Sequence, residues 1–159
     1  MDPIFAWIEQ SAYSLWVREA VTVWAFPFML ILHAIGMGFL AGMHSAICLR
    51  VLGFASGIPL KSMRSFFPFL WFGLAINVFS GVSLLIAYPT KALTNPLFYI
   101  KLALIAAALL GLRWMRGNVF GPSLPANAKR IATLSILAWV CAIFAGRWLA
   151  YTYTKLMTT

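Results

Sequence analysis

Acidic side chains are almost missing from this chain of 159 residues: Asp2, Glu9 and Glu19 are the only ones, and no carboxylate side chain follows position 19. That excludes paired-carboxylate hydrolysis, oxygen-ligand cages for calcium or magnesium, and carboxylate proton relays through a bilayer. Charged residues of either sign make up only 9%. No Walker glycine loop, Rossmann fingerprint, HExxH or CxxC is present. Cysteine is scarce too, and Cys48 and Cys141, far apart in apolar helical context, read as packing residues. The N-terminus lacks a basic region ahead of an apolar run, so a cleaved signal is not expected and the mature chain should begin near Met1.

What fills the sequence instead is apolar: 63% hydrophobic residues and a mean hydropathy of +0.91 mark an integral membrane protein. A net charge of +9 would raise the question of nucleic acid in a soluble domain, but here the cations flank long apolar runs, where they meet lipid headgroups. Four such runs, at about 21–52, 66–88, 96–115 and 128–153, are each long enough to cross the bilayer. The first is longer than needed and should tilt, bend near Pro27 or project beyond the bilayer. Asn95 with Pro96, and Asn127, read as helix starts.

Before the first run, Asp2 and Pro3 fit the start of a short amphipathic helix over 3–18. Glu9, Gln10, Ser14 and Arg18 are expected to face water and headgroups, with Trp7 and Trp16 at the boundary. The expected fold is therefore an all-α, four-helix transmembrane bundle with an N-terminal interfacial helix, a single domain over 1–159. The loops joining spans one to two and three to four hold seven cations against five on the other side. With the acids at the N-terminus, this places both termini outside, in the periplasm of a bacterial inner membrane. Trp24 and Trp148 then mark the outer boundary, and Trp71 and Trp114 the inner one.

Both histidines, His33 and His44, fall in the first run. Eleven residues of α-helix turn three revolutions plus ~20°, so the two rings should share a face, roughly 16 Å apart along the axis and too distant to ligate one metal. Met29 and Met37 lie on the same stripe, while Gly38 and Gly42 form a GxxxG pair suited to a close neighbour, in this chain or another copy. On the second span Gly73, Asn77, Ser80 and Gly81 share a sector that a flat cofactor edge or a helix could approach. Lys101 and Arg147 sit at similar depth in the outer leaflet with no intramembrane carboxylate to meet, and must snorkel, reach Glu9 or Glu19, or receive a ligand anion.

Three readings follow. A b-type haem on His33, beside Asn77, could bring its propionates to Lys101 or Arg147. Copper handling would use His33, Met37, Met43 and His44, since thioethers and imidazole suit Cu(I). A cofactor-free scaffold would use the histidines only for hydrogen bonds, as with Asn77 or Ser80, and the glycines only for packing.

The segments 32–53 (LHAIGMGFLAGMHSAICLRVLG) and 75–105 (AINVFSGVSLLIAYPTKALTNPLFYIKLALI) resemble an uncharacterised family of small bacterial four-span membrane proteins. More remotely, a histidine in a small-residue first helix is similar to the membrane domain of copper-resistance protein D and to four-helix b-type cytochromes. The resemblance implies the fold and, at His33 alone, a haem ligand. Those cytochromes take axial histidines from two different helices, whereas here both lie on one. The sixth ligand would then come from a methionine, another subunit or nothing. The implied function is a small subunit of a redox or respiratory assembly, exchanging electrons with another subunit or a carrier such as quinone.

Overall fold

A computed structural model of the chain describes residues 3–156, and every regular element among the described residues is helical. Four helical stretches are long and apolar enough to cross a membrane: Phe26–Leu52, Leu60–Ala87, Pro96–Asn118 and Ala128–Tyr151. Their outer faces leave Ile31, Phe72, Phe79, Leu110 and Phe144 exposed, an arrangement stable against lipid tails and not against water. The protein is an integral membrane bundle of four helices.

The N-terminal segment differs from the single interfacial helix expected. It forms α1 (Pro3–Glu9) and α2 (Ala12–Glu19), separated at Gln10 and Ser11. Ser11 Oγ accepts the N–H of Ser14 at 3.3 Å and so starts a new helix. Ser14, expected to face headgroups, is fully buried, and its hydroxyl donates to the Ala87 carbonyl at 3.5 Å. Tyr13 donates to Ser83 Oγ at 2.8 Å, and Val17 packs with Met29 and Ala87. Beyond the break, α2 lays its Ser14 and Val17 face against the second span. The acids are also used locally. Glu9 Oε1 accepts the Thr90 N–H at 3.3 Å, near the start of a short helix, and Glu19 lies 3.7 Å from Arg18.

The first span begins at Phe26 rather than at position 21, because Pro27 takes the second position of α3 (Phe26–Met37), where its missing N–H leaves no helical bond unmade. The bend expected near Pro27 is replaced by an interruption further on. Residues Gly38–Gly42 form a π-helical turn before α4 (Met43–Leu52). A π-turn takes up about one extra residue, so the helix beyond it is rotated by ~100° from where a continuous α-helix would point. As a result α3 packs against α5 (Phe67–Ala87), whereas α4 packs against α8 (Ala128–Leu156). After α5, the short α6 (Pro89–Leu93) leads into α7 (Pro96–Asn118), started by Asn95 Oδ1 accepting the Leu97 N–H at 3.0 Å. The α7 and α8 helices pack along their length.

Two apolar clusters result. The larger joins Leu40, Ile47, Leu70, Leu112, Met115 and Trp139 in the half of the bundle away from the termini. Cys48 is part of it, its thiol donating to Met115 Sδ at 3.9 Å, while Cys141 is exposed on the outer face. The smaller surrounds Val17, Met29 and Ala87. Met29 and Met37 thus belong to different clusters, and His33 lies on the turn between them.

Candidate functional site

Two glycines, of which only Gly73 stands out in the sequence, bring the backbones of α3 and α5 close together. A Cβ at Gly36 would sit 2.8 Å from Asn77 N and 2.9 Å from Gly73 O, and one at Gly73 only 2.7 Å from Phe39 Cβ and 2.9 Å from Leu40 N. The crossing therefore needs hydrogen at both positions. Gly38 and Gly42, the GxxxG pair, have nothing within 4 Å of an added Cβ and line a shallow outer groove with Ile35, Phe39 and Phe66. Within the chain they do not mediate packing.

The crossing brings a stripe of α5 onto α3. Gly73, Asn77 and Ser80 are buried at helical spacing, and each meets the first span. Asn77 Nδ2 donates to the His33 carbonyl at 3.0 Å, so Asn77 holds the backbone of His33 and not its ring. Ser80 Oγ donates its single hydrogen to Ile76 O at 2.8 Å and lies 3.1 Å from His33 Nδ1. The Ser80–His33 contact runs in the direction that the imidazole tautomer sets: where the hydroxyl hydrogen stays on the Ile76 or Asn77 carbonyl, Nδ1–H donates to Ser80. In the neutral ring Nε2 then keeps its lone pair, and among the described residues no side chain bonds to it. Gly81 leaves room at the ring, since its Cβ would stand 3.4 Å from His33 Cε1.

His44 is committed the other way. Trp139 Nε1 donates to His44 Nδ1 at 2.9 Å, with the two rings edge to face at 6.2 Å. An indole can only donate, so Nδ1 is the acceptor and the proton must be on Nε2. That nitrogen is fully buried without a hydrogen-bond partner. Neither nitrogen of His44 offers a lone pair, and a metal there requires the Trp139 bond to break. The shared face expected for the two histidines is also lost, because the π-turn aims His33 at α5 and His44 at α8. Among the described residues no three His, Cys, Asp or Glu side chains cluster as a metal site.

Lys101 and Arg147 are at one level, as expected, but diverge. Lys101 Cε and Nζ lie 3.4 and 3.5 Å from where a Gly146 Cβ would be, and its charge is within electrostatic reach of His33. Arg147 is exposed, with its guanidinium 5.4 Å from the centre of the Tyr151 ring. Of the two, only the lysine is placed against a neighbouring span, beside Gly146. Comparison with family models, with curated proteins and with solved structures finds no match. Chemical potential therefore rests on geometry: one imidazole hydrogen-bonded to Ser80, whose Nε2 lone pair is available in the Nδ1–H tautomer. Met37, one turn from His33, packs toward the larger core. Gly36 was missed in the sequence because it precedes a more recognisable spacing, yet its direct succession to the His33 turn was a usable signal.

Proposed function

We propose that the chain is a small subunit of a membrane redox assembly in which His33 holds a b-type haem through Nε2. The observation that supports this reading is the 3.1 Å contact of His33 Nδ1 with Ser80 Oγ, which in the Nδ1–H tautomer would leave Nε2 for a metal. That is how a ligating imidazole is normally oriented and made more basic. A bound haem supplies a one-electron carrier at fixed depth in the bilayer. The chain's own part is to orient the ring through Ser80, to fix its backbone through Asn77, and to offer Lys101 to a propionate. Arg147, drawn to Tyr151, contributes less. A further iron ligand would have to come from a methionine or another subunit, or be lacking, and the electron partner would be another subunit or quinone. The cation bias of seven to five supports an inner-membrane location with periplasmic termini.

A cofactor-free scaffold is favoured by a separate observation, the open Gly38 and Gly42 face, which a second copy or another subunit could cover. Copper handling through His33 and Met37 has less support, since His44 is tied to Trp139.

Visible absorption of the purified protein, after haem addition if needed, decides the matter. A Soret band, with an α-band that sharpens on dithionite reduction, is expected. His33→Ala should remove both, and His44→Ala should keep them. Ser80→Ala should weaken binding by about 10- to 100-fold. Folded protein that stays colourless rules the haem out.

A further inference from the structure

At the end of the bundle away from the termini, α5 and α7 do not pack along their length. The seam between them is an open groove of ≈ 430 Å³, a size usual for ligand clefts. Its walls are apolar, formed by Phe67 and Trp71 from α5 and by Leu109 and Leu110 from α7. Its rim is cationic: Arg113 and Arg116, both exposed, line it from adjacent positions on α7. The Arg116 guanidinium is held 5.7 Å from the centre of the Phe67 ring.

Arginines three apart on a helix face are neighbours and repel one another unless an anion lies between them. The chain supplies none. No acidic side chain occurs beyond position 19, and the Arg18–Glu19 pair lies at the opposite end. The same end also carries Arg50, Lys61, Arg64, Lys129 and Arg130. An apolar trough closed at the boundary by two uncompensated guanidinium groups matches a molecule with a hydrocarbon tail and one anionic head. Guanidinium groups bind phosphate oxygens through paired N–H bonds, and basic sites between spans are where anionic lipid headgroups settle.

We propose that this groove is a specific site for an anionic phospholipid, with an acyl chain along Phe67, Trp71 and Leu110 and its phosphate on Arg113 and Arg116. The site does not depend on any cofactor at His33. Bound lipid fills the gap where two neighbouring helices fail to meet, so it acts as a structural component of the bundle. Trp71, 47% exposed on the groove wall, reports occupancy.

The test reconstitutes the full chain into phosphatidylcholine vesicles containing either brominated phosphatidylglycerol or brominated phosphatidylcholine. Quenching at Trp71 is isolated as the difference between wild type and Trp71→Phe. Half-quenching should need on the order of tenfold less of the anionic lipid than of the zwitterionic one, given the attraction of two basic residues near the surface. Arg113→Gln with Arg116→Gln should erase that preference. Lys129→Gln with Arg130→Gln, which removes equal charge from the same end outside the groove, should leave it. Equal quenching by both lipids in wild type overturns the proposal, as does an equal loss of preference in the two double variants, which would mean diffuse attraction only. Circular dichroism of each variant verifies the helical fold before the comparison.

Discussion

Valine at Gly73 or at Gly36 is expected to destabilise the bundle by about 3 kcal/mol or more, enough to prevent recovery of folded protein. The reason is the kind of atom in the way. A Cβ at Gly36 would meet the backbone of Asn77 and Gly73, and one at Gly73 would meet Leu40 N and Gly36 O as well as Phe39 Cβ. Backbone atoms cannot swing aside, so the helices must part, and with them go the Asn77 and Ser80 bonds to His33. Gly38→Val and Gly42→Val are the controls. Nothing lies within 4 Å of a Cβ at either, and the change should stay within about 1 kcal/mol. Thermal unfolding in detergent, followed by tryptophan fluorescence, checks the contrast. Equal melting temperatures for the Gly73 and Gly42 variants would show that the crossing is not where stability is held.

Trp139→Phe should cost about 1–3 kcal/mol beyond the small loss of volume, because it leaves both nitrogens of a fully buried imidazole without partners. His44→Leu alone strands the indole N–H in the same way. The double variant should then lose less than the two singles together, since replacing both members of a buried polar pair with apolar groups removes the unsatisfied atoms. Strict additivity in a thermal double-mutant cycle would contradict the Trp139–His44 bond. Trp139→Phe alone has a consequence for metal chemistry: without the indole, His44 Nδ1 can take the proton and Nε2 becomes available.

The four spans and their approximate limits were legible because apolar length alone marks them, and the Asn95 start was legible because a cap followed by proline is a local signal. The small polar stripe on the second span was also visible, since Gly73, Asn77 and Ser80 repeat at helical spacing and do face α3. The relation between the two histidines was not. Counting positions assumes one helical pitch, and the π-turn at Gly38–Gly42 is set by how α3 and α4 must each meet a different neighbour, which is tertiary information. Gly38 and Gly42, whose spacing suggests packing, are instead the two ends of that turn, while Gly36 makes the contact. The break of the N-terminal helix at Ser11 was hidden for a similar reason, because burial of Ser14 and Val17 depends on the end of α5 being close. Lys101 and Arg147 could be paired by depth but not separated by direction, which is decided by the bare surface at Gly146 and the ring of Tyr151.

The difference between the two imidazoles is open to direct observation. In protein labelled with nitrogen-15 at histidine, two-bond nitrogen–proton correlations identify which ring nitrogen bears hydrogen. His33→Gln and His44→Gln assign the two signal sets. His33 should appear as the Nδ1–H form with an unprotonated Nε2, and His44 as the Nε2–H form, at a pH where both rings are neutral. Finding His33 protonated at Nε2, with Nδ1 as the acceptor, would remove the lone pair on which ligation depends and with it His33 as the haem ligand.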